Sequence, residues 1–194
     1  MDVPLTPELL VQAYRQGFFP MGEEDGSISW YWPDPRTIIP LDGFHVSRRL
    51  AQTVRQQRFE IVIDHDFEGV IRGCAAREET WITEQIMAAY TALYRQGLAH
   101  SIEAYKEGRL VGGIYGVSLG GAFMGESMFS HATDASKVCL VHLVERLRAR
   151  GYSLFDVQFT TGHLKRFGAT EIPRKEYLRR LGKAIRETRR FVDE

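Results

Sequence analysis

Three polar side chains stand on otherwise apolar strand-like segments, and their types are suited to proton transfer and hydrogen-bond positioning. Glu126 lies in the segment Gly125-Glu126-Ser127-Met128-Phe129-Ser130. A carboxylate in such surroundings needs a partner, so it is either a structural hydrogen-bond acceptor or a site residue. Asp156 and Gln158 are two residues apart, so strand alternation puts them on one face and turns their apolar neighbours to the other face: Phe155, Val157 and Phe159. An ordinary amphipathic strand with a solvated face explains this second pattern as well.

Several aromatic and basic residues could bind a nucleic acid, and each group of them also has an ordinary structural explanation. Trp81 and the cluster Trp30-Tyr31-Trp32 can stack on bases or pack in a core. The segment from Ser47 to Arg58 carries four arginines and no acid, and it places Arg48 and Arg55 on one helical face. Such a face is either a solvated surface or a site of limited phosphate contact.

The cysteines and histidines form no recognisable metal or nucleophile motif. Cys74 and Cys139 are flanked by apolar residues, and neither has a second Cys or His at ligand spacing. We expect both to be buried free thiols. The histidines are scattered and fall in no nucleophile signature. The sequence therefore predicts no metal site.

Length and composition limit the class of protein. A chain of 194 residues can form one core with a small appendage but not several ordinary domains. Lys plus Arg and Asp plus Glu both number 25, so contact with a polyanion must come from an uneven distribution of charge. The start MDVPLTPELL has no signal-peptide pattern, and no window approaches the roughly 20 apolar residues of a membrane span. A cytoplasmic protein without a membrane segment is expected.

Turn residues and caps predict a mixed α+β fold with two parts. Thr6 caps a first helix that Gly17 ends, and Pro33 and Pro35 forbid a helix after it. We therefore expect a small N-terminal lobe over residues 1–35 and a main domain over residues 36–194.

The main domain is predicted to alternate helices and strands in a definite order. Helices begin at Ser47, Asp66 and Thr83, with a strand over 59–63 between the first two. A three-stranded meander follows, over residues 99–106, 109–117 and 122–129. A long helix over 134–150 and a buried strand over 154–159 come next, then a short helix around Leu164 and a long basic helix from Pro173. This order resembles the Gcn5-related N-acetyltransferase fold, which by itself says little about substrate.

The loop before the long helix argues against coenzyme A. Acetyltransferases of that fold hold the pyrophosphate on backbone amides of a glycine-rich loop at a helix N-terminus. Here the loop reads Ser130-His131-Ala132-Thr133-Asp134-Ala135-Ser136-Lys137, which contains an aspartate and no glycine. Acetyl-CoA is therefore disfavoured, and the acyl group is expected on another carrier.

An ordered series of short motifs then gives a specific resemblance. The chain is similar to the leucyl/phenylalanyl-tRNA-protein transferase family over nearly its whole length. The motifs include Gly17-Phe18-Phe19-Pro20-Met21, Trp32-Pro33-Asp34-Pro35-Arg36, Thr80-Trp81-Ile82-Thr83, Leu110 to Val117, Gly125 to Ser130, and Asp156-Val157-Gln158. Each motif is weak alone, and their order makes the resemblance specific.

The resemblance implies an activity and its partners. Such enzymes transfer Leu or Phe, and less readily Met, from aminoacyl-tRNA to the α-amine of proteins that begin with Arg or Lys. The ClpS adaptor reads the product as a destabilising N-terminus and delivers it for proteolysis. No cofactor and no membrane is implied.

Residues of this chain match the family's functional positions. The resemblance implies catalytic roles for Glu126, Asp156 and Gln158, and adenine stacking for Trp81. It implies an apolar pocket for the donor side chain, formed by Ile114, Phe123 and Met128. It also implies contacts of Arg48 and Arg55 with the acceptor stem.

Several positions depart from the family pattern, and other functions stay open. Met21 stands where the family often has Trp, and Val157 where Cys is common, while the basic helix carries fewer cations. Weaker tRNA affinity is the resulting hypothesis. The alternatives are an acyl-CoA N-acyltransferase, a transferase that moves Leu onto N-terminal Asp or Glu, and a non-catalytic tRNA-binding module.

Overall fold

The fold is α+β, as the sequence predicts. The computed structural model describes residues 5–193. Its N-terminal part contains α1 (Pro7–Arg15), β1 (Phe19–Gly22), β2 (Ile28–Tyr31), β3 (Arg36–Ile38), α2 (Arg48–Arg55), β4 (Glu60–Ile63), α3 (Phe67–Ala75) and α4 (Glu84–Arg95). The remainder contains β5 (Ala99–Lys106), β6 (Arg109–Leu119), β7 (Ala122–Ser130), α5 (Ala135–Ala149), β8 (Leu154–Gln158), α6 (Gly162–Lys165), β9 (Thr170–Ile172) and α7 (Arg174–Ala184).

A seven-stranded sheet organises the chain in the order β4-β5-β6-β7-β8-β3-β9. Strands β5, β6 and β7 form the predicted antiparallel meander, and α5 carries the chain over to β8, which pairs parallel to β7. Parallel neighbours need such a crossover because a hairpin reverses the chain direction and therefore joins only antiparallel strands. The element order that resembles the Gcn5-related fold is therefore present.

Two apolar cores cover the two faces of this sheet. Successive residues of a strand alternate between them: Phe123 belongs to the core that contains Leu140 and Val144 of α5, whereas Met124 belongs to the core that contains Tyr90 of α4. Tyr14 of α1 lies in the same core as Met124. The predicted N-terminal lobe thus shares its core with the main sheet, and its boundary at residue 35 stays a prediction.

Predicted helix caps and cysteines agree with the structure. Thr6, Ser47 and Thr83 accept hydrogen bonds from backbone amides three residues ahead, at 3.2, 3.3 and 3.3 Å. Such bonds satisfy amides that the first turn of a helix leaves unpaired. Cys74 and Cys139 are free and buried.

The predicted element order omits four short strands, β1, β2, β3 and β9, and makes the C-terminal helix too long. The segment before residue 39 contains the hairpin of β1 and β2 and the short strand β3, which pairs with both β8 and β9. The C-terminal helix is shorter than predicted, because it ends at Ala184. Residues 185–193 follow the surface instead, and Phe191 is buried against Phe123 at a ring distance of 5.2 Å.

Candidate active site

A cleft opens where β7 and β8 separate. The described pairs between these strands run from Ala122 with Leu154 to Met124 with Asp156. Residues just beyond those pairs form both walls of a cavity of about 350 Å³. Strand β1, the loop before α4 and the segment after β8 complete the lining, which consists of Phe19, Met21, Arg77, Trp81, Glu126, Ser127, Met128, Val157, Gln158, Phe159, Thr161, His163 and Leu164.

Glu126 reaches this cleft from an irregular point of β7. Tyr115 pairs with Ser127 and Gly116 pairs with Gly125, so Glu126 is an extra residue without a partner on β6. A bulge of this kind re-aims the side chain that it carries. The Glu126 carboxylate accepts hydrogen bonds from the Tyr14 hydroxyl at 2.6 Å, the Gln158 amide Nε2 at 3.3 Å and the Tyr90 hydroxyl at 3.4 Å.

The surroundings of Glu126 favour its protonated form. The pKa of this carboxyl is raised from 4.5 to about 8, mainly by burial; the hydrogen bond from Tyr14 opposes the rise, and the nearby charge of Asp156 adds to it. The side chain is half-buried and borders the cleft. An acid with a pKa near neutrality can both take and return a proton at physiological pH.

Asp156 lies beneath the cleft and is fully paired. Arg36 donates to its two carboxylate oxygens at 2.9 and 2.6 Å, and the Tyr177 hydroxyl donates at 2.9 Å. Both charged side chains are buried, and the Arg36 guanidinium lies 4.7 Å from the ring centroid of Phe19 and 4.4 Å from that of Tyr177. Asp156 therefore acts as a fixed anchor at the site, with its charge balanced by Arg36.

The anchor determines the backbone at Gln158. One oxygen of Asp156 accepts a hydrogen bond from the Gln158 backbone amide at 2.9 Å, and Gln158 adopts a left-handed backbone with φ of 61°. This conformation is uncommon for a residue other than glycine. It turns the side-chain amide toward Glu126 on the facing wall, so the structure brings the three predicted catalytic residues together.

The left-handed turn also corrects one expectation. Phe159 does not point away from Asp156 and Gln158, because alternation ends where the backbone of Gln158 leaves the extended region. Its ring is 43% exposed, lines the cleft and meets the edge of Phe19 at 5.5 Å.

Trp81 and Met128 lie on the lining of the cleft, as does Met21. The Trp81 carbonyl accepts a hydrogen bond from the Gly22 amide at 2.9 Å, which joins the loop before α4 to strand β1. Met21 thus shares a wall with Trp81. The aromatic and apolar surfaces face the polar pair of Glu126 and Gln158 across one cavity.

Ile114 and Phe123 lie deeper than Met128. Ile114 is the cross-strand partner of Met128, but it is only 4% exposed, and Phe123 is 1% exposed. Both belong to the core packed under α5 and are absent from the cleft lining. The structure therefore brings one of the three predicted pocket residues to the cleft wall and places the other two behind it.

Arg48 and Arg55 are exposed on α2, outside the cleft. A second cavity, of about 260 Å³, lies between α2, the start of α5 and α6. His163 lines both this cavity and the cleft. Three cationic side chains line the second cavity, Arg49, Lys137 and Arg166, and Asp134 in the same lining pairs with the first two.

The loop before α5 has the character expected from its sequence. Asp134 precedes the helix with φ of 69° and makes no side-chain cap, and its carboxylate pairs with the Lys137 ammonium at 2.7 Å. A carboxylate at this helix start disfavours a pyrophosphate there. Among residues 5–193 no group of three or more His, Cys, Asp or Glu side chains could hold a metal ion. Nor does any described helix have the length and apolar character to cross a membrane.

Sequence reasoning missed four residues of the site. Tyr14, Tyr90 and Tyr177 have the helical spacing of core residues, and nothing local separates a packed tyrosine from one that binds a carboxylate. Arg36 ends a quoted motif, and its partner Asp156 is 120 residues away. Such a contact is created only by the pairing of β3 with β8.

The amino-acid sequence matches those of known proteins along nearly the whole chain. Residues 38–182 match the family model described as leucyl/phenylalanyl-tRNA protein transferase, and residues 4–34 match that of its N-terminal domain. A relative named leucyl/phenylalanyl-tRNA–protein transferase from Rubrobacter xylanophilus is 60% identical, covering 97% of this chain and 99% of its own. One of the same name from Gloeobacter violaceus is 58% identical, covering 95% and 96%.

A solved structure was also found to be similar: a GCN5-related N-acetyltransferase-like protein from Streptococcus suis. It has a TM-score of 0.44 and 15% identity, and the match covers 85% of this chain and 63% of that chain. The family match and the close relatives define the chain as an aminoacyltransferase. It belongs to the leucyl/phenylalanyl-tRNA protein transferase family, as the resemblance of its motifs predicted.

Proposed function

We propose that this protein transfers Leu or Phe, and less readily Met, from aminoacyl-tRNA to the α-amine of proteins that begin with Arg or Lys. The product would carry a destabilising N-terminus that the ClpS adaptor reads for proteolysis, and the reaction would take place in the cytoplasm, where charged tRNA is made. The observation that supports this proposal best is the contact of Glu126 with Gln158 across the separation of β7 and β8. The cleft brings a titrating acid and an amide together beside an aromatic wall.

The donor end of the tRNA fits the aromatic and apolar parts of the cleft. The Trp81 ring is available for stacking on the terminal adenine, because it lines the cavity and is half-buried. Base stacking on an aromatic ring contributes about 1–3 kcal/mol. A Leu or Phe side chain would then pack on Met128, Val157 and Leu164, with Ile114 and Phe123 forming the layer behind Met128.

The chemistry needs positioning more than strong base catalysis. The aminoacyl ester is already activated, and holding the two reactants in line supplies much of the rate. The bond that forms joins the acceptor α-nitrogen to the ester carbonyl carbon, and the bond that breaks joins this carbon to the ribose oxygen. One proton leaves the nitrogen and ends on the released ribose hydroxyl.

Gln158 and Glu126 divide this work. The side-chain oxygen of Gln158 accepts a hydrogen of the amine and aims its lone pair, while Asp156 fixes the backbone from which Gln158 projects. Glu126 takes the amine proton and returns it to the ribose oxygen. The two pKa values suit this transfer, because the pKa of a protein α-amine is about 8 and burial raises the pKa of Glu126 to about 8.

The cysteines support a direct transfer without a thioester. Burial raises the pKa of Cys74 to about 12, and it raises that of Cys139 as well. A thiol is nucleophilic only as its thiolate. Neither cysteine lines the cleft.

Cationic side chains outside the cleft can hold the rest of the tRNA. Arg48 and Arg55 are exposed on α2, and Arg166 lines the second cavity, which adjoins the cleft through His163. Each neutralised phosphate adds a salt-dependent contribution to affinity. We propose that these residues hold the acceptor stem while its 3′ end enters the cleft.

A peptide panel tests the proposal. Leu-, Phe- and Met-tRNA are each offered with peptides that begin with Arg, Lys, Asp or Ala, and mass spectrometry detects one added residue. The proposal expects addition to the Arg and Lys peptides, with Leu and Phe ahead of Met. Addition to the Asp peptide alone would establish the acidic-acceptor alternative, and binding of charged tRNA without any product would establish a binding module.

Two further measurements complete this test. A thermal-shift titration with acetyl-CoA is expected to leave the melting temperature unchanged, because Asp134 occupies the helix start that a pyrophosphate would need. Purified ClpS is expected to bind the leucylated peptide and not its Arg-starting parent. A coenzyme A-dependent stabilisation would support the acyl-CoA alternative instead.

A further inference from the structure

Two tyrosine hydroxyls converge on the back of Glu126. Tyr14 comes from α1 and is 1% exposed, and Tyr90 comes from α4 and is fully buried. The Tyr14 hydroxyl donates to the Glu126 oxygen Oε1 at 2.6 Å, and the Tyr90 hydroxyl donates to Oε2 at 3.4 Å. The two hydroxyls also contact each other, and because the Tyr14 hydrogen goes to Glu126, the single Tyr90 hydrogen is shared between the Tyr14 oxygen and Oε2. Glu126 is thus held from behind by two phenols, while Gln158 approaches it from the cleft side.

This arrangement exceeds what packing alone requires. A buried hydroxyl loses its hydration and must regain a partner, so phenylalanine fills the same apolar volume at lower cost. Both tyrosines instead direct their hydroxyls to one carboxylate, which lies at the bulge of β7. Burial, together with the charge of Glu126, keeps the pKa of each phenol well above its usual range, so each stays a hydrogen-bond donor at physiological pH.

We propose that Tyr14, with Tyr90 beside it, is a positioning residue that holds the Glu126 carboxylate toward the acceptor amine and favours its ionised form. This inference rests on the proposed role of Glu126 as the group that takes the amine proton. It assigns part of the active site to the N-terminal helix α1. Neither tyrosine touches substrate in this proposal, because both lie behind the carboxylate and outside the cleft lining.

The electrostatic surroundings give the direction of the effect. Burial raises the pKa of Glu126, the hydrogen bond from Tyr14 lowers it, Asp156 raises it, and Arg36 and the hydrogen bond from Tyr90 lower it. Further groups face this carboxylate from the elements packed around it: Gln158 on β8, Tyr115 on β6 and Tyr177 on α7. Loss of the Tyr14 hydroxyl is therefore expected to raise the pKa of Glu126 further. The loss of the more distant Tyr90 hydroxyl has a smaller effect.

The pH dependence of turnover tests this inference. The rate of leucine transfer to an Arg-starting peptide is measured with saturating substrates between pH 6 and 9 for the wild type, Tyr14→Phe and Tyr90→Phe. Tyr94→Phe is the matched control, because its hydroxyl also donates a hydrogen bond to an oxygen distant in sequence, the half-buried carbonyl of Asp64 at 2.8 Å, away from the cleft. The ionised fraction of Glu126 increases as the pH rises, so the rate of transfer should increase with pH through the pKa of Glu126.

For Tyr14→Phe we expect this rise to move to higher pH by about 0.5 to 1 unit, since the ionised carboxylate loses its shortest hydrogen bond and water replaces only part of it. The rate at pH 7 then falls about threefold to tenfold and recovers toward pH 9. KM for Leu-tRNA stays unchanged. Tyr90→Phe moves the profile less, and Tyr94→Phe does not move it.

Three results would overturn the inference: a Tyr14→Phe profile that superimposes on the wild type, a loss of rate that is equal at every pH, or an equal displacement in Tyr94→Phe. In a Glu126→Gln background the tyrosine substitution should add no further displacement. If Tyr14→Phe does not fold, the Tyr90→Phe profile decides the matter alone. Failure of the wild type to modify the Arg-starting peptide would refute the proposed function instead, so the two failures are distinguishable.

Discussion

The raised pKa of Glu126 makes a quantitative prediction about stability. A carboxyl whose pKa is higher in the folded state than in the unfolded chain binds its proton more tightly when folded. Its ionisation therefore opposes folding, and the loss of stability begins above the unfolded value of 4.5 and is complete above the folded value of about 8. Glu126→Gln removes the titrating group and keeps an oxygen that accepts from Tyr14.

The magnitude follows from the size of this rise. Going from 4.5 to about 8 corresponds to at most about 5 kcal/mol, because each pKa unit is worth about 1.4 kcal/mol. Water in the cleft reduces this ceiling, since Glu126 is half-buried rather than enclosed. We expect the free energy of unfolding of Glu126→Gln, relative to the wild type, to be about 2 kcal/mol higher at pH 8.5 than at pH 4.5.

Urea unfolding at several pH values measures this difference directly. Denaturation of both proteins is followed by tryptophan fluorescence, and the free energies are extrapolated to water. All other titrating groups are common to the two proteins, so their contributions largely cancel in the difference. A difference that stays constant between pH 4.5 and 8.5 would refute the reasoning that burial raises the pKa of Glu126.

Two further substitutions test the anchor and the tRNA surface. Arg36→Met should destabilise the protein by about 3–5 kcal/mol in urea unfolding, because it leaves the buried carboxylate of Asp156 without its charged partner; a change under about 1 kcal/mol would contradict that role. Replacing both Arg48 and Arg55 with Gln should weaken tRNA binding and reduce the slope of log affinity against log salt by about 1 to 2 in filter binding. An unchanged slope would show that these side chains do not contact phosphate.

Most of the fold could be predicted because its signals are local. The sequence predicts the three meander strands to within two residues, since the turns around Gly108 and Gly120, which both have positive φ, punctuate three strands of high β propensity. The helices that begin after Thr6 and Thr83 were predicted from their caps. The short strand β3 was not, because three residues carry no readable period.

The candidate site was only partly predictable for the same reason. A carboxylate at position 126 and the pair at 156 and 158 stand out from apolar neighbours, so local chemistry marks them. The Arg36 partner of Asp156 and the tyrosines behind Glu126 depend on contacts across 36 to 120 residues of sequence. The left-handed backbone of Gln158 also escapes a strand pattern, which is why Phe159 was assigned to the wrong face.

The initial rate of transfer by Gln158→Ala tests the central claim most directly. Leu-tRNA and an Arg-starting peptide are supplied at saturating concentrations, and mass spectrometry counts peptides that gain one leucine. If the cleft acts by aiming the amine at the ester, kcat should fall at least tenfold while the KM for Leu-tRNA stays near that of the wild type. Full turnover by Gln158→Ala would contradict the account.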